Sequence, residues 1–331
     1  MRIATWNING VKARMDVMLK WLADASPDFV CLQEIKSVDD AFPRLEIEAL
    51  GYNVETFGQK SWNGVAILSK NRFDEVTRGL PGDDGDEQSR LIEGVFSTES
   101  GAIRVCCIYL PNGNPVKTDK FTYKLSWMDR LISFVEGRLA LEEPFVLLGD
   151  FNIIPAPIDA TFPQKWVGDA LFRPESAERW RTLLNMGMVD AQRAVSDEPN
   201  YTFWDFKTFG WDRQDGIRID HLLLSPQAAD LLEGAGIDAA QAGQDDNGFD
   251  ADVAIATGEL RRLLPELIEA LGGLHSIFVS AVMFLVAASL FGPLKFFGDM
   301  RPSSILRTES TVNTDSDQVW ANAGVQAFNG P

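Results

Sequence analysis

Apolar runs that stop abruptly at polar residues recur along this chain, and they set out its elements. Phe145 to Leu148, bounded by Pro144 and Gly149, reads as a strand buried on both faces that runs into a turn holding Asp150 and Asn152. Arg2 to Asn7 alternates as a strand and ends in Asn7, Asn9 and Gly10. Val11, Met15, Met18, Leu19 and Leu22 recur at helical spacing and predict a helix over Val11 to Ala25, closed by Ser26, Pro27 and Asp28. Phe29 to Leu32 is a second core strand, delivering Gln33 and Glu34. Gly64 to Ser69, Arg90 to Ser97, Ile103 to Leu110 and Ile217 to Leu224 add four more. Between them Lys117 to Arg138 predicts a long amphipathic helix, with Phe121, Leu125, Met128, Leu131, Ile132 and Val135 on one side. A further helix falls around Glu175 to Met186. Strand and helix alternate from Met1 to about Gly236, which predicts an α/β body.

The strand ends carry the candidate chemistry. Asp150 and Asn152, two apart, project from one side if strand geometry persists. A carboxylate there can hold a divalent cation or take a proton from water, and a carboxamide can donate to a phosphate oxygen. The same residues also suit a plain turn. Glu34 reads as a solvated strand end or a metal ligand, and Tyr109 as a packing residue or a catalytic hydroxyl. The aromatics of Tyr201 to Phe206 suit a core, or a groove in which Phe203 or Trp204 stacks on an exposed base. Asp220 lies between apolar neighbours and needs a specific partner, because an unpaired buried carboxylate is costly.

Charge narrows the choice. The net charge of -18 excludes a broad basic surface, so any nucleic-acid contact must rest on a local cluster or on bound cations. Cys31, Cys106 and Cys107 sit in apolar strand runs, and the adjacent pair points to opposite faces. The three read as buried reduced thiols of a cytoplasmic chain. The N-terminus shows no signal-peptide pattern.

Six stretches in order, Trp6 to Gly10 (WNING), Leu32 to Lys36 (LQEIK), Gly58 to Leu68 (GQKSWNGVAIL), Tyr109 to Pro115 (YLPNGNP), Gly149 to Asn152 (GDFN) and Arg218 to Ser225 (RIDHLLLS), resemble the exodeoxyribonuclease III family of the endonuclease/exonuclease/phosphatase superfamily. The resemblance covers residues 1–236. It implies a four-layered α/β sandwich of two mixed sheets flanked by helices, with strand ends converging on one cleft. It implies Glu34 and Asn7 as ligands of Mg²⁺, or of Mn²⁺ in its place. Asp150 would activate water, Asn152 would orient water and phosphate, and Tyr109 would assist at the phosphate or leaving oxygen. Arg90, Asn112 and Asn114 would contact DNA, and Phe203 or Trp204 would lie beside the cut. The implied reaction is hydrolysis of double-stranded DNA at 3′ ends and abasic sites, by a monomer, in base excision repair.

The chain departs from the family at its end. The family closes with a Ser-Asp-His motif on a last strand about thirty residues after the position of Asp220, its histidine oriented by that aspartate. No histidine stands there. His221 faces away from Asp220 on the same strand, and His275 borders an apolar run. The body is therefore expected to lack its last strand, leaving a sheet edge open or paired by residues such as Val279 to Leu290. Residues 237–252 read as a linker, 253–300 as a helical and apolar segment with an amphipathic helix over Asp252 to Leu271 and a candidate membrane span at 277–294, and 301–331 as a disordered tail. Three readings stay open: a weakened Mg²⁺-dependent repair nuclease, a catalytically inactive DNA-binding or membrane-tethered protein, and a phosphodiesterase acting on a lipid or inositol phosphate.

Overall fold

The long apolar runs become interior strands covered on both faces. In the computed structural model, which describes residues 1–98, 101–204, 213–238 and 255–260, they build two six-stranded mixed sheets. The first half supplies β1 (Arg2–Asn7), α1 (Met15–Ala25), β2 (Phe29–Gln33), α2 (Arg44–Glu48), β3 (Asn53–Phe57), β4 (Val65–Ser69), β5 (Glu75–Arg78), β6 (Leu91–Thr98), β7 (Gly101–Tyr109) and α3 (Asp119–Leu139). The second half supplies β8 (Phe145–Asp150), α4 (Pro174–Asn185), β9 (Val189–Asp190), α5 (Ala191–Val195), the short strands β10 (Phe203–Trp204) and β11 (Gly216–Ile217), β12 (Asp220–Leu224), α6 (Pro226–Ala229), β13 (Leu232–Asp238) and β14 (Ile255–Leu260).

One sheet runs in the order β13-β14-β1-β2-β4-β3 and the other in the order β5-β6-β7-β8-β12-β9. Alternation sorts each strand between two layers. From β8, Val146 and Leu148 join Cys31, Ile67 and Cys107 in the core between the sheets, while Phe145 and Leu147 join Cys106, Trp127 and Leu131 beneath α3 and α4. On the far side Val30, Leu32 and Trp6 meet Met18, Trp21 and Leu22 of α1. The result is the helix-sheet-sheet-helix stack that the family resemblance implies. The three thiols are free and buried, with Cys106 and Cys107 in different layers, as their adjacency requires. Burying each large apolar side chain contributes about 1.5–3 kcal/mol, so these layers, rather than local propensity, hold the strands.

Helix α1 starts four residues later than the pattern suggests. Asn9 and Gly10 both take left-handed backbone, and residues 11–14 form turns before the helix begins at Met15. Trp21 then packs edge-on against Trp6, with ring centroids 5.9 Å apart.

The end of the body needs a correction. It does not close at residue 236: β13 extends to Asp238, and β14 enters the sheet between β13 and β1, antiparallel to both. Residues Ile255 to Leu260, expected within an amphipathic helix, are an extended interior strand. The flanking Gly, Ala and Asp masked a short alternation in which Ile255, Ala256 and Leu260 are buried. The backbone N–H of Leu260 donates to the Met1 carbonyl at 2.7 Å, and the Arg2 guanidinium pairs with Glu259. Trp21 Nε1 donates to Asp238 at 3.0 Å and ties β13 to α1. The sheet edge expected to stand open or to be paired by residues such as Val279 to Leu290 is instead filled beside β1 by Ile255 to Leu260. All of this lies in one compact unit, Met1–Ile268. Most of the expected linker, the apolar stretch 277–294 and the tail 301–331 lie outside the described residues. Among the described residues no helix is long and apolar enough to cross a membrane.

Candidate active site

Register decides what meets at the strand ends. The parallel pair β1 and β2 aligns Asn7 with Gln33, so Glu34 follows directly beside Asn7. The parallel pair β7 and β8 aligns Tyr109 with Asp150, and antiparallel β12 sets Asp220 opposite Asp150. Five polar residues from different stretches of chain therefore reach one cleft of about 340 Å³. Asn152, two residues past Asp150, shares it, as do Asn112, Asn114 and Phe203.

The side chains form a connected set. Asn7 Nδ2 donates to Asp150 Oδ2 at 2.9 Å and to Glu34 Oε1 at 3.2 Å. The Tyr109 hydroxyl donates to the same Glu34 oxygen at 2.7 Å, and Lys36 Nζ lies 3.0 Å from the other. Asp150 Oδ1 accepts the Asn152 backbone N–H at 2.8 Å. Asn152 donates its amide to the Leu110 carbonyl at 2.9 Å and accepts from Asn112 at 2.9 Å. Glu34, Lys36 and Asn152 all have φ near +50°. That backbone costs roughly 1–2 kcal/mol for an L-residue, and the surrounding hydrogen bonds hold it. Gly149 is required for a different reason. A Cβ there would lie 1.9 Å from the Ile108 carbonyl oxygen, so only glycine lets β8 approach β7 at this register.

The electrostatics follow from burial. Desolvation pushes the Asp150 carboxyl up to about 7, against the lowering effect of its Asn7 and Asn152 hydrogen bonds, and Glu34 adds to the rise. Asp220 is pushed well up by burial, then by the charge of Asp150, while the Thr202 hydroxyl accepts its backbone N–H at 3.1 Å. Both of its carboxylate oxygens are buried without a hydrogen-bond partner among the described residues. The partner that the sequence demands for Asp220 is not found there. Burial, Glu34 and Asp150 also raise the Tyr109 phenol well above its ordinary value, so it remains a donor throughout the neutral range.

This donor set suits a hard dication. Three carboxylates face one cleft: the charge of Glu34 adds to the rise of Asp150 and Asp220, and that of Asp150 to the rise of Asp220, which a cation would relieve. Among the described residues no group of three His, Cys, Asp or Glu side chains is close enough to form an all-protein cage. One carboxylate and a neighbouring amide, with room left for water and phosphate, match the sparse protein ligation typical of Mg²⁺.

Other residues land differently from the sequence reading. Arg90 does not line the cleft. Its guanidinium stacks over the Tyr109 ring at 4.7 Å, donates to the Tyr109 carbonyl at 3.1 Å and to Gln88 at 2.7 Å, so it supports Tyr109 from behind. Trp204 is buried, while its neighbour Phe203 faces the cleft, because adjacent strand residues point to opposite sides. His221 does face away from Asp220. It packs between Phe151 and Trp180 with Nε2 3.0 Å from the Ile153 carbonyl, and burial pushes its imidazole well below the ordinary value.

The structure also adds residues that the sequence reading missed. Arg14 and Asn9 stand at the polar rim, and Trp166, Leu171 and Ile219 join Phe203 in an apolar wall. Lys124 lies fully buried behind the asparagines. A signal for it existed: 121, 124, 128, 131 and 135 keep helical core spacing, and a lysine occupies one of those positions. Arg218 is likewise buried, paired to Asp159 at 2.7 Å and Asp190 at 2.8 Å.

Comparison with known proteins agrees with this geometry. The profile of the Endonuclease/Exonuclease/phosphatase family matches residues 4–245. The chain is 33% identical over 246 residues to exodeoxyribonuclease III of Haemophilus influenzae, covering 72% of this chain and 92% of that protein. It is 29% identical over 251 residues to an exodeoxyribonuclease of Bacillus subtilis, covering 74% and 96%. Among solved structures, a 3′ phosphatase from Neisseria bound to a product DNA hairpin superposes with TM-score 0.75 at 34% identity, over 79% of this chain and all of that one. An AP endonuclease from Archaeoglobus fulgidus gives TM-score 0.73 at 30% identity, over 78% and 99%.

Proposed function

Because the chain belongs to the endonuclease/exonuclease/phosphatase family, in its exodeoxyribonuclease III branch, we propose that it hydrolyses DNA phosphodiesters at 3′ ends and abasic sites as a divalent-metal-dependent repair nuclease. The observation that carries this reading is the convergence of Asn7, Glu34, Tyr109, Asp150 and Asn152 on one cleft. Glu34 and Asn7 would hold Mg²⁺, or Mn²⁺ in its place. The cation would neutralise charge that builds on the phosphate.

The chain's own groups divide the remaining work. Asp150, poised near neutrality and fixed by two hydrogen bonds, accepts a proton from the attacking water. The Asn152 and Asn112 amides hold phosphate oxygen and water in line with that carboxylate. Tyr109, kept protonated, donates toward the phosphate or the leaving oxygen. The apolar wall of Trp166, Leu171, Phe203 and Ile219 accepts a sugar that carries no base, or the flat face of a terminal base.

Asp220 marks the weak point. The family's histidine follows its aspartate by about thirty residues, and at that distance this chain has Asp250-Ala251, with alanine where the motif has histidine. The carboxylate of Asp220, unpartnered among the described residues, supports the reading that activity is reduced by loss of that group. It equally motivates a second reading, an inactive protein that binds DNA in the same cleft.

Incision of an abasic duplex and a 3′-recessed duplex by the full chain, in Mg²⁺ and in EDTA, separates the two. Cleavage is expected only with Mg²⁺ and is expected to fall by about 10²–10⁴-fold in Asp150→Asn. Cleavage that survives EDTA or Asp150→Asn removes the proposed mechanism. Binding without turnover selects the second reading, and Ala251→His is then expected to restore cutting.

A further inference from the structure

Helix α3 carries an ammonium group where its packing pattern calls for an apolar side chain. Lys124 is fully buried, and its Nζ donates to three backbone carbonyls: Asn152 at 2.7 Å, Asn112 at 3.1 Å and Ala170 at 3.1 Å. Burial pulls this lysine down to about 7, but an ammonium has three N–H donors and no acceptor, so the three carbonyls match the protonated form in number and favour it. Those carbonyls come from three points on two connections: Asn112 from the one between β7 and α3, Asn152 from the start of the one between β8 and α4, and Ala170 from near its end.

Each of these three points presents a side chain to the cleft. Asn112 and Asn152 are bonded to each other at 2.9 Å, and Leu171 follows Ala170. Asn114 links the first connection to the end of the second through Asp169 at 3.0 Å and the Ala170 N–H at 3.1 Å. Asn152 stands in left-handed backbone, with φ of 48°. Its carbonyl direction therefore has to be held by something outside its own strand, and the shortest of the three Lys124 bonds does so. The lysine stem is also enclosed. A Cβ at Gly113, whose φ is +88°, would come within 2.7 Å of Lys124 Cδ. Glycine there serves both the turn and the lysine.

We propose that Lys124 is a positioning residue: its ammonium fixes the Asn112-Asn152 pair, and with it the alignment of phosphate and water against Asp150. The inference rests on the nuclease reading above for its effect on rate. Its structural half stands without that reading. Lys124 touches no substrate, so its loss should leave DNA affinity nearly intact and lower the chemical step. Misplacement of aligning groups by a fraction of a bond length costs on the order of 10- to 100-fold in rate.

The test compares wild type with Lys124→Met and Lys124→Gln in the full chain. Single-turnover cleavage of a 3′-recessed duplex in Mg²⁺ is expected to slow by about 10- to 100-fold in Lys124→Met, with KM changed by less than about 3-fold. Lys124→Gln keeps two donors and should fall between. In Lys124→Ala, millimolar methylammonium should restore part of the rate, and tetramethylammonium at equal ionic strength should not.

A second readout does not depend on cleavage. The side-chain amide resonances of Asn112 and Asn152 should move in Lys124→Gln, while those of Asn53, on the opposite sheet, stay in place. Unchanged Asn112 and Asn152 signals overturn the proposal, as does a variant that melts earlier but cuts at the wild-type rate below its transition. A wild-type chain that does not cut at all removes the nuclease reading, and the amide signals then decide the positioning role alone. Should Lys124→Met fail to fold, Lys124→Gln carries the same measurements.

Discussion

Asp220 is the residue at which local chemistry and fold are most opposed. Its carboxylate lies opposite Asp150 across β12 and β8, is buried, and lacks a hydrogen-bond partner among the described residues. Like charges at directly opposed positions repel, and an unpaired buried carboxylate pays the full desolvation penalty. The fold responds by raising its pKa. The sign for stability follows. Between the unfolded value near 4 and the raised folded value, the native state binds the extra proton, so stability falls as pH rises through that window. Asp220→Asn removes the effect. In EDTA, its melting temperature is expected to equal wild type at about pH 4 and to exceed it increasingly toward pH 7. The gain should be no steeper than about 1.4 kcal/mol per pH unit. A gap that is flat with pH would show that Asp220 has found a partner.

At the scale of elements, strands and helices were legible wherever period and burial agreed. β8 reads plainly because both its faces are covered, and α3 because its apolar stripe meets the second sheet. What the pattern could not reveal is how closely the strands approach. Gly149 looks like turn punctuation in the sequence. In the fold it is the contact that admits β7, since a side chain would collide with the Ile108 carbonyl. Gly149→Ala is therefore expected to destabilise the protein by about 3 kcal/mol and to displace Asp150, read as an earlier urea midpoint with reduced cleavage. The strand β14 failed in the other direction. Six residues with Thr, Gly and Glu among them offer little apolar signal, and they form an interior strand only because β1 and β13 present matching edges. Pairing with partners about 20 and 250 positions away is invisible to a local window.

For the whole molecule, the net charge of -18 means that DNA must be met at one small place. Arg14, Lys36 and the cation expected at Glu34 concentrate positive charge around the cleft of an otherwise acidic protein. The two sheets bring that place together, and β14 closes the first of them. A chain ending at Asp238 leaves β1 and β13 with unpaired edges, which exposes backbone and buried apolar surface. It is expected to aggregate or to melt without a cooperative transition. A chain ending at Ile268 should keep the full-length melting temperature within a few degrees. Equal behaviour of the two truncations would place β14 outside the cooperative unit.

The sequence by itself determined the succession of strands and helices, the polar residues waiting at strand ends, and the family that these motifs resemble. Those properties are local: a face is buried or it is not, and the period records it. Tertiary structure decided which polar groups meet. It placed Asn7 between Glu34 and Asp150, put Arg90 behind Tyr109, turned Trp204 inward and Phe203 toward the cleft, and gave Lys124 its three carbonyls. Each of those outcomes depends on register between segments far apart in the chain. A one-residue slip would send every side chain of a strand to the other face while leaving its own hydrophobic pattern unchanged.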